Sequence, residues 1–343
     1  MGRIILHIGT HKTGTTSIQR FADQNRVQLA HRGLHYPCYS SIGLDPHYAH
    51  LDVPKAIMGT KTRLGPQALE QFLNHVRECS SDFPATLISA EPFWRGMIDG
   101  KVNSDADTYW PARSTFIERV ASALPLDQVE IAIVLRGQAD FIESLFQEDV
   151  KVNRWRQNLR AFARHRAHLL DYERQVQAWA SVFPTIRLIN FESLREQADL
   201  VRGFFAELGI DTSGMPEPHI HNGAIQADFV TALRLLNRSD LSDREFRGAK
   251  RRLLAHQEDP KAKRWPTRSL WHSAQARVEF DGLYHDGNDR LIAAFEPDLQ
   301  PIRSRPHPTS IKYGERPSEA ALTLLLERFC GLAPVDAPQI TSS

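Results

Sequence analysis

The chain has 343 residues, 41% of them hydrophobic, and 42 Lys+Arg against 41 Asp+Glu give a formal net charge of +1. That balance excludes a general electrostatic affinity for nucleic acid, and no run of about eighteen apolar residues offers a transmembrane helix. The length suits one large α/β domain, or one domain with an embellishment. Cys38, Cys79 and Cys330 stand apart and are odd in number, which suits a reducing compartment without disulfides or a metal cluster.

The first element predicted is a strand, Ile4-Ile5-Leu6-His7-Ile8. It runs into Gly9-Thr10-His11-Lys12-Thr13-Gly14-Thr15-Thr16-Ser17, and an amphipathic helix follows. Strand, glycine-rich turn and helix N-terminus in that order aim backbone N–H groups at one point, where the helix dipole favours an anion. Gly14 allows close approach, Thr15, Thr16 and Ser17 offer hydroxyls, and Lys12 offers a mobile charge. A nucleotide-hydrolysing loop places Lys directly after the second Gly. Here Lys12 precedes Gly14 by two residues, so that pattern fails.

Further along, a helix is predicted from Ser17 to Arg32, closed by Gly33, then a short strand Leu34–Pro37 and a loop from Ser40 to Lys55. A helix over 66–79 leads to a strand over 85–90, and Glu91 follows at its carboxyl end, where parallel sheets bind ligands. Asn103 to Tyr109 reads as loop, 112–123 as helix, and Val129–Leu135 as the clearest buried strand, ending in Arg136-Gly137. Asp140 to Phe183 is helical, and its arginines 154, 156, 160, 164 and 166 read as a solvated face. A strand over 185–191, a helix over 200–208 closed by Gly209 and a helix within 222–237 complete a core over 1–240. Alternating strands and helices imply an α/β fold: a central parallel sheet flanked by helices in three layers, like the P-loop nucleoside-triphosphate hydrolases. Residues 241–332 form a helical extension with a basic stretch at 247–268; from Pro301 the chain is rich in Pro, Ser and Arg, its Arg303–Pro308 fragment reads as a solvated tail, and a disordered tail follows over 333–343.

The string Lys12-Thr13-Gly14-Thr15-Thr16 resembles the 5′-phosphosulfate loop of sulfotransferases that use 3′-phosphoadenosine 5′-phosphosulfate (PAPS). A second motif agrees. In that family an arginine after a central strand, and a serine eight residues later, bind the 3′-phosphate; Arg136 and Ser144 show the same interval. Guanidinium supplies a two-pronged donor and the hydroxyl one more. The family usually has proline two residues after the arginine, where this chain has Gln138.

The resemblance implies sulfuryl transfer from PAPS to a hydroxyl, with an amine as a further option, leaving PAP as product and requiring no metal. Thr13, Gly14, Thr15, Thr16 and Ser17 would hold the 5′-phosphate, and Lys12 would stabilise the departing bridging oxygen. A hydroxyl acceptor needs a base; relatives use His or Glu. Glu91 is the first choice, against its reading as a helix-capping glutamate, while His11 and His35 read more readily as structural. The acceptor expected is a carbohydrate, glycolipid-type or other small molecule, and a cytoplasmic location is expected because no export signal or membrane anchor is read. The sequence sets no oligomeric state. Two rival readings are a kinase-like nucleotide enzyme, which needs a metal-binding acid where Arg136 stands, and a non-catalytic anion-binding module.

Overall fold

The computed structural model describes residues 2–98, 106–197, 199–216, 225–314 and 316–330. Two compact units emerge: Met1–Phe141 with Ala163–Gly223 and Phe280–Arg305, and Ile142–Phe162 with Ala224–Glu279 and Pro306–Ser343. Residues 280–305, assigned by sequence to the extension, thus cluster with the first unit.

In chain order the elements begin with β1 (Arg3–Gly9), α1 (Thr15–Gln24), α2 (Arg26–His31), β2 (Leu34–His35), α3 (Asp52–Ile57), α4 (Pro66–Asp82), β3 (Ala85–Ser89), α5 (Pro92–Arg95) and α6 (Ala106–Ala123). They continue with β4 (Val129–Leu135), α7 (Gln138–Val152), α8 (Leu159–His165), α9 (Ala167–Leu170), α10 (Tyr172–Ala180), β5 (Thr185–Asn190), α11 (Phe191–Glu196) and α12 (Leu200–Glu207). The last are α13 (Ala227–Leu236), α14 (Asp243–Ala255), β6 (Arg268–Ser269), α15 (Ala274–Gly282), α16 (His285–Phe295), β7 (Lys312–Tyr313) and α17 (Glu319–Cys330).

The first unit is built on a five-stranded sheet of order β2-β3-β1-β4-β5, with every pair parallel. Its central strands are apolar on both faces because helices cover both, as parallel sheets require. Ile5, Leu87, Ala132, Val134 and Ile189 share one core with Ile18, Phe21 and Ala22 of α1, Leu29 of α2, and Val201, Phe204 and Phe205 of α12. The alternate residues Ile4, Leu6, Ile8, Ile88, Ile131 and Ile133 are equally buried, and α10 and α16 pack against β5. The expected three-layer α/β fold is the fold observed. The chain builds β2 and β3 on one side of β1 and then crosses to β4 and β5. The crevice outside the carboxyl ends of β3, β1 and β4 is therefore the switch point where such sheets bind ligands.

Several elements differ from the sequence reading. The helix expected from Ser17 to Arg32 divides at Asn25, whose side-chain amide donates to the Phe21 carbonyl (2.9 Å) and whose backbone leaves the helical region. The Ser40–Lys55 loop contains a 3₁₀ turn, Tyr39–Ile42, and the start of α3. Residues 106–109, expected as loop, open α6, while 103–105 lie outside the described residues, as do 222–224 and the tail after Leu332.

The second unit contains α13, α14, the parallel pair β6–β7 and α17. Its buried acids are hydrogen-bonded, as burial demands. Asp228 accepts from Arg268 (2.9 Å) and from the Ser318 amide (2.6 Å), and Glu143 accepts from the Leu270 amide (2.6 Å). In the basic stretch Arg247, Arg251, Arg252, Lys261, Lys263 and Arg264 are exposed, a solvated face, while Arg268 is the half-buried partner of Asp228. No helix among the described residues is long and apolar enough to cross a membrane.

Candidate active site

The loop after β1 is anchored once on β4 and otherwise shaped by its own short-range bonds. Thr10 docks on β4, its amide and hydroxyl both donating to the Val134 carbonyl (2.9 and 3.0 Å). The Thr13 hydroxyl donates to the Thr10 carbonyl (2.6 Å), and Thr15 does so at 3.4 Å. Thr13 and Thr15 are thus buried braces of the loop, whereas Thr16 is half-buried at the mouth of α1 and Ser17 is buried. Gly14 stands at the N-cap of α1 with φ 76°, and its carbonyl accepts from the Ser17 and Ile18 amides (2.9 and 3.1 Å). The N-cap glycine brings no side-chain cap, and no acid lies in the first turn of α1; a helix N-terminus carries partial positive charge. Lys12 takes φ 66°, a left-handed conformation costly for a residue with a Cβ and met most often at functional sites.

Arg136, the residue after β4, closes the site from the other side. Its Nη1 donates to the Lys12 carbonyl at 3.2 Å, its guanidinium lies over the Phe191 ring at 5.0 Å, and its own carbonyl accepts from the Tyr172 hydroxyl at 2.9 Å. Burial pulls its pKa down, and the acids Asp140 and Glu192 oppose that pull. Glu192 faces three arginines: Arg305 (2.5 Å), Arg136 (3.7 Å) and Arg195 (3.8 Å). Burial raises the Glu192 pKa even so. Ser144, the other expected 3′-phosphate ligand, lies half-buried on α7 within the second unit.

The turn after β4, where Gln138 stands, is held by a tertiary clamp. Gln138 Nε2 donates to the Leu170 carbonyl (3.3 Å) and to Asn288 (2.9 Å), which donates in return (3.0 Å). Asp281 accepts from the Ala139 amide (3.0 Å) and from the amide and hydroxyl of Ser304 (2.9 and 2.6 Å). Despite burial, which would raise it, the bonds from Ser304, Ala139 and His285 hold the Asp281 carboxyl below its usual range. A Cβ on Gly137 would meet the Ser304 amide nitrogen at 2.1 Å, so the 303–305 segment lies directly on this glycine. That segment reads as a solvated tail in sequence; its docking rests on contacts some 165 residues away in the chain, such as the Arg305 amide to Asp140.

Glu91 lies between these loops and the end of β3. A Cβ on Gly9 would sit 3.6 Å from the Glu91 Cα, so the two backbones nearly touch. Glu91 occupies the N-cap of α5 but its side chain makes no capping bond; Gln19 Nε2 donates to it at 3.4 Å. Gln19 also donates to the Ser89 hydroxyl (3.1 Å), which bonds His7 Nδ1 (2.9 Å). His11 is buried beside Lys12, and burial, with the charges of Arg95 and Lys12, holds its imidazole well below the usual range. That makes His11 a poor proton acceptor near neutrality.

No family model and no curated protein matches the chain. Among solved structures, a sulfotransferase from Alicyclobacillus acidocaldarius is similar over 71% of this chain and 98% of that one, at 18% identity and a TM-score of 0.39.

Sequence reasoning missed Gln19 and His50. Gln19 sits one turn into α1, where a polar residue on an otherwise buried face is the only available signal. His50 is a buried anchor: its Nδ1 accepts from the Ser89 amide (3.1 Å), its own amide donates to the Ser89 carbonyl (3.0 Å), and its Nε2 donates to the Pro37 carbonyl (3.0 Å). It thereby pins the Tyr36–Tyr48 segment, with Arg20 over the Tyr48 ring at 4.3 Å, to the end of β3 beside Glu91.

Proposed function

We propose that this protein is a sulfotransferase that moves the sulfuryl group of PAPS to a hydroxyl acceptor. The hydrogen bond from Arg136 to the Lys12 carbonyl carries the reading, because it joins two phosphate motifs 124 residues apart into one site. The amides opening α1, with Thr16 and Ser17, hold the 5′-phosphate. Arg136 holds the 3′-phosphate, joined by Arg305 when the nucleotide competes with Glu192 for both guanidiniums, and Ser144 is the further ligand that the family pattern supplies. In the transfer, the acceptor oxygen forms a bond to sulfur as the bond from sulfur to the 5′-phosphate oxygen breaks. Lys12 stabilises the charge gathering on that departing oxygen. Glu91, oriented by Gln19, takes the acceptor proton. The chemistry is carried by cationic side chains, with PAP as the leaving group and no metal in the scheme.

The tyrosine-rich segment pinned by His50, with Arg20 over Tyr48, borders Glu91 and suits a polar ring such as a sugar, so a carbohydrate or other small hydroxylated metabolite is the acceptor class. Thermal-shift measurements test the donor. PAP alone is expected to raise Tm; stabilisation by ATP with Mg²⁺ and not by PAP would establish the kinase-like reading instead, and stabilisation by neither the anion-binding module. Transfer of labelled sulfate from PAPS into cell extract then tests the reaction. Glu91→Gln is expected to lose about 100-fold in kcat; unchanged turnover removes it as base.

A further inference from the structure

At the free edge of the sheet lies a side-chain cluster that the transfer chemistry does not use. Strand β2 pairs with β3 through Leu34↔Ala85 and His35↔Thr86. Helix α4 ends at Asp82, and Phe83 and Pro84 lead straight into β3, so the last turns of α4 return beside β2. His75 and Cys79, four residues apart, share one face of α4. Ligand atoms of His35, His75 and Cys79 all lie within 4.8 Å of one another. Cys79 Sγ is 3.6 Å from His75 Nε2 and 3.8 Å from Nδ1. The rings of His35 and His75 meet edge to face at 5.7 Å, and Phe83 stacks on the His35 ring at 5.1 Å, fixing its plane. His35 Nδ1 is buried with no hydrogen-bond partner, an unusual state for a ring nitrogen.

We propose that His35, His75 and Cys79 form a binding site for a divalent cation of the zinc class, which clamps edge strand β2 to α4. Two imidazoles and a thiolate are the donors that borderline-soft ions select, whereas calcium and magnesium require oxygen. With Zn–N of about 2.0 Å and Zn–S of about 2.3 Å, a tetrahedral ion spaces its nitrogen and sulfur ligands by about 3.5 Å. The 3.6 Å contact has the length of that edge, but the sulfur lies almost as near to Nδ1, so the His75 ring must turn to aim one lone pair at a shared ion; ligand atoms of all three residues are within 4.8 Å of one another. Three protein ligands leave one position for water, and all three residues are half-exposed, which gives the ion a route of entry. A two-residue edge strand has little ladder to hold it, and the clamp fixes the start of the segment that runs on to His50. The cluster is invisible in sequence because 40 residues separate His35 from His75.

The test uses the full-length chain after treatment with chelator. Cobalt(II) is expected to bind one per chain with a thiolate-to-metal charge-transfer band that zinc removes, and zinc is expected to raise Tm. Zinc should also slow alkylation of Cys79, read by peptide mass spectrometry, by at least tenfold while leaving Cys38 unaffected, a readout that needs no variant. Cys79→Ser should abolish the band, and His35→Gln and His75→Gln should each weaken zinc binding at least tenfold. Unprotected Cys79, or a band that survives in Cys79→Ser, overturns the proposal. PAP binding is independent of this site, so its failure would leave the clamp standing.

Discussion

The turns after β1 and β4 meet at the bond between Lys12 and Arg136, yet they are held by different means. The first is braced from within: Thr13 and Thr15 bond the carbonyl of Thr10, and Gly14 caps the helix that follows. The second is clamped from outside, by Leu170 and Asn288 on Gln138, by Asp281 on Ala139, and by Ser304 against Gly137. A turn braced by its own residues keeps its shape wherever the motif occurs. A turn held by distant segments takes its shape from the rest of the fold.

Substitution separates the two. Lys12→Ala keeps the loop's internal bonds and is expected to lower kcat by about 10²–10³-fold with little change in Tm, as for loss of a donor to a developing charge. A raised KM with kcat intact would reduce Lys12 to a binding residue. Gly137→Ala acts the other way. Its Cβ would enter the Ser304 backbone, so the 303–305 segment must lift, and a loss of about 2–3 kcal/mol with weakened PAP binding is expected. Denaturant unfolding and PAP titration check both; a Gly137→Ala protein of normal stability and affinity would show that the segment is not docked there.

The same contrast explains what could be read from the sequence. Strands β1, β3 and β4 were legible because burial on both faces makes them unbroken apolar runs, and the turn from Lys12 to Ser17 because the residues that shape it are neighbours in the chain. Arg136 and Glu91 were legible as strand-end residues, and the sheet order brings both beside the loop. Gln138 looked like a defect, because Asn288 lies 150 residues away. Arg303 to Arg305 looked like tail, since basic residues among prolines give no sign that Asp281 and Gly137 receive them. Gln19 and His50 carry no periodic signal at all, each being a buried polar residue whose partner Ser89 is on another element.

A smaller effect tests the pairing of Gln138 with Asn288. Gln138→Leu takes the Gln138 donor from the buried Asn288 Oδ1, while Nδ2 keeps the Ile302 carbonyl, and is expected to cost about 1–3 kcal/mol. Asn288→Leu alone should cost a similar amount, and the double variant less than the sum, because both buried polar partners are then gone. Strict additivity would mean that the pair is not coupled and that the turn is held by its other contacts, from Leu170, Asp281 and Ser304.

The end of β3 and the turn after β4 should also differ in acid. Burial depresses the pKa of His7 and of His50 to about 3, against an unperturbed 6.5. In that window the unfolded chain binds more protons than the folded one, so the stability from keeping these rings neutral is complete above pH 6.5 and is lost as pH falls toward 3. The slope reaches about 1.4 kcal/mol per pH unit for each ring. Asp281 has the opposite chemistry and a lower window. Its carboxyl is held below the ordinary value of 3.8, so its contribution is complete above that pH and fades only as pH falls through the depressed value. Both rings bond the end of β3, His50 accepting from the Ser89 amide, whereas Asp281 accepts from the Ala139 amide beside β4. Between pH 6.5 and 4, hydrogen-exchange protection of the Ser89 amide is therefore expected to fall while that of Ala139 holds, once each is corrected for the intrinsic exchange rate. His50→Gln should flatten the Ser89 profile. Parallel loss at both amides would show that the two sides of the crevice open as one unit.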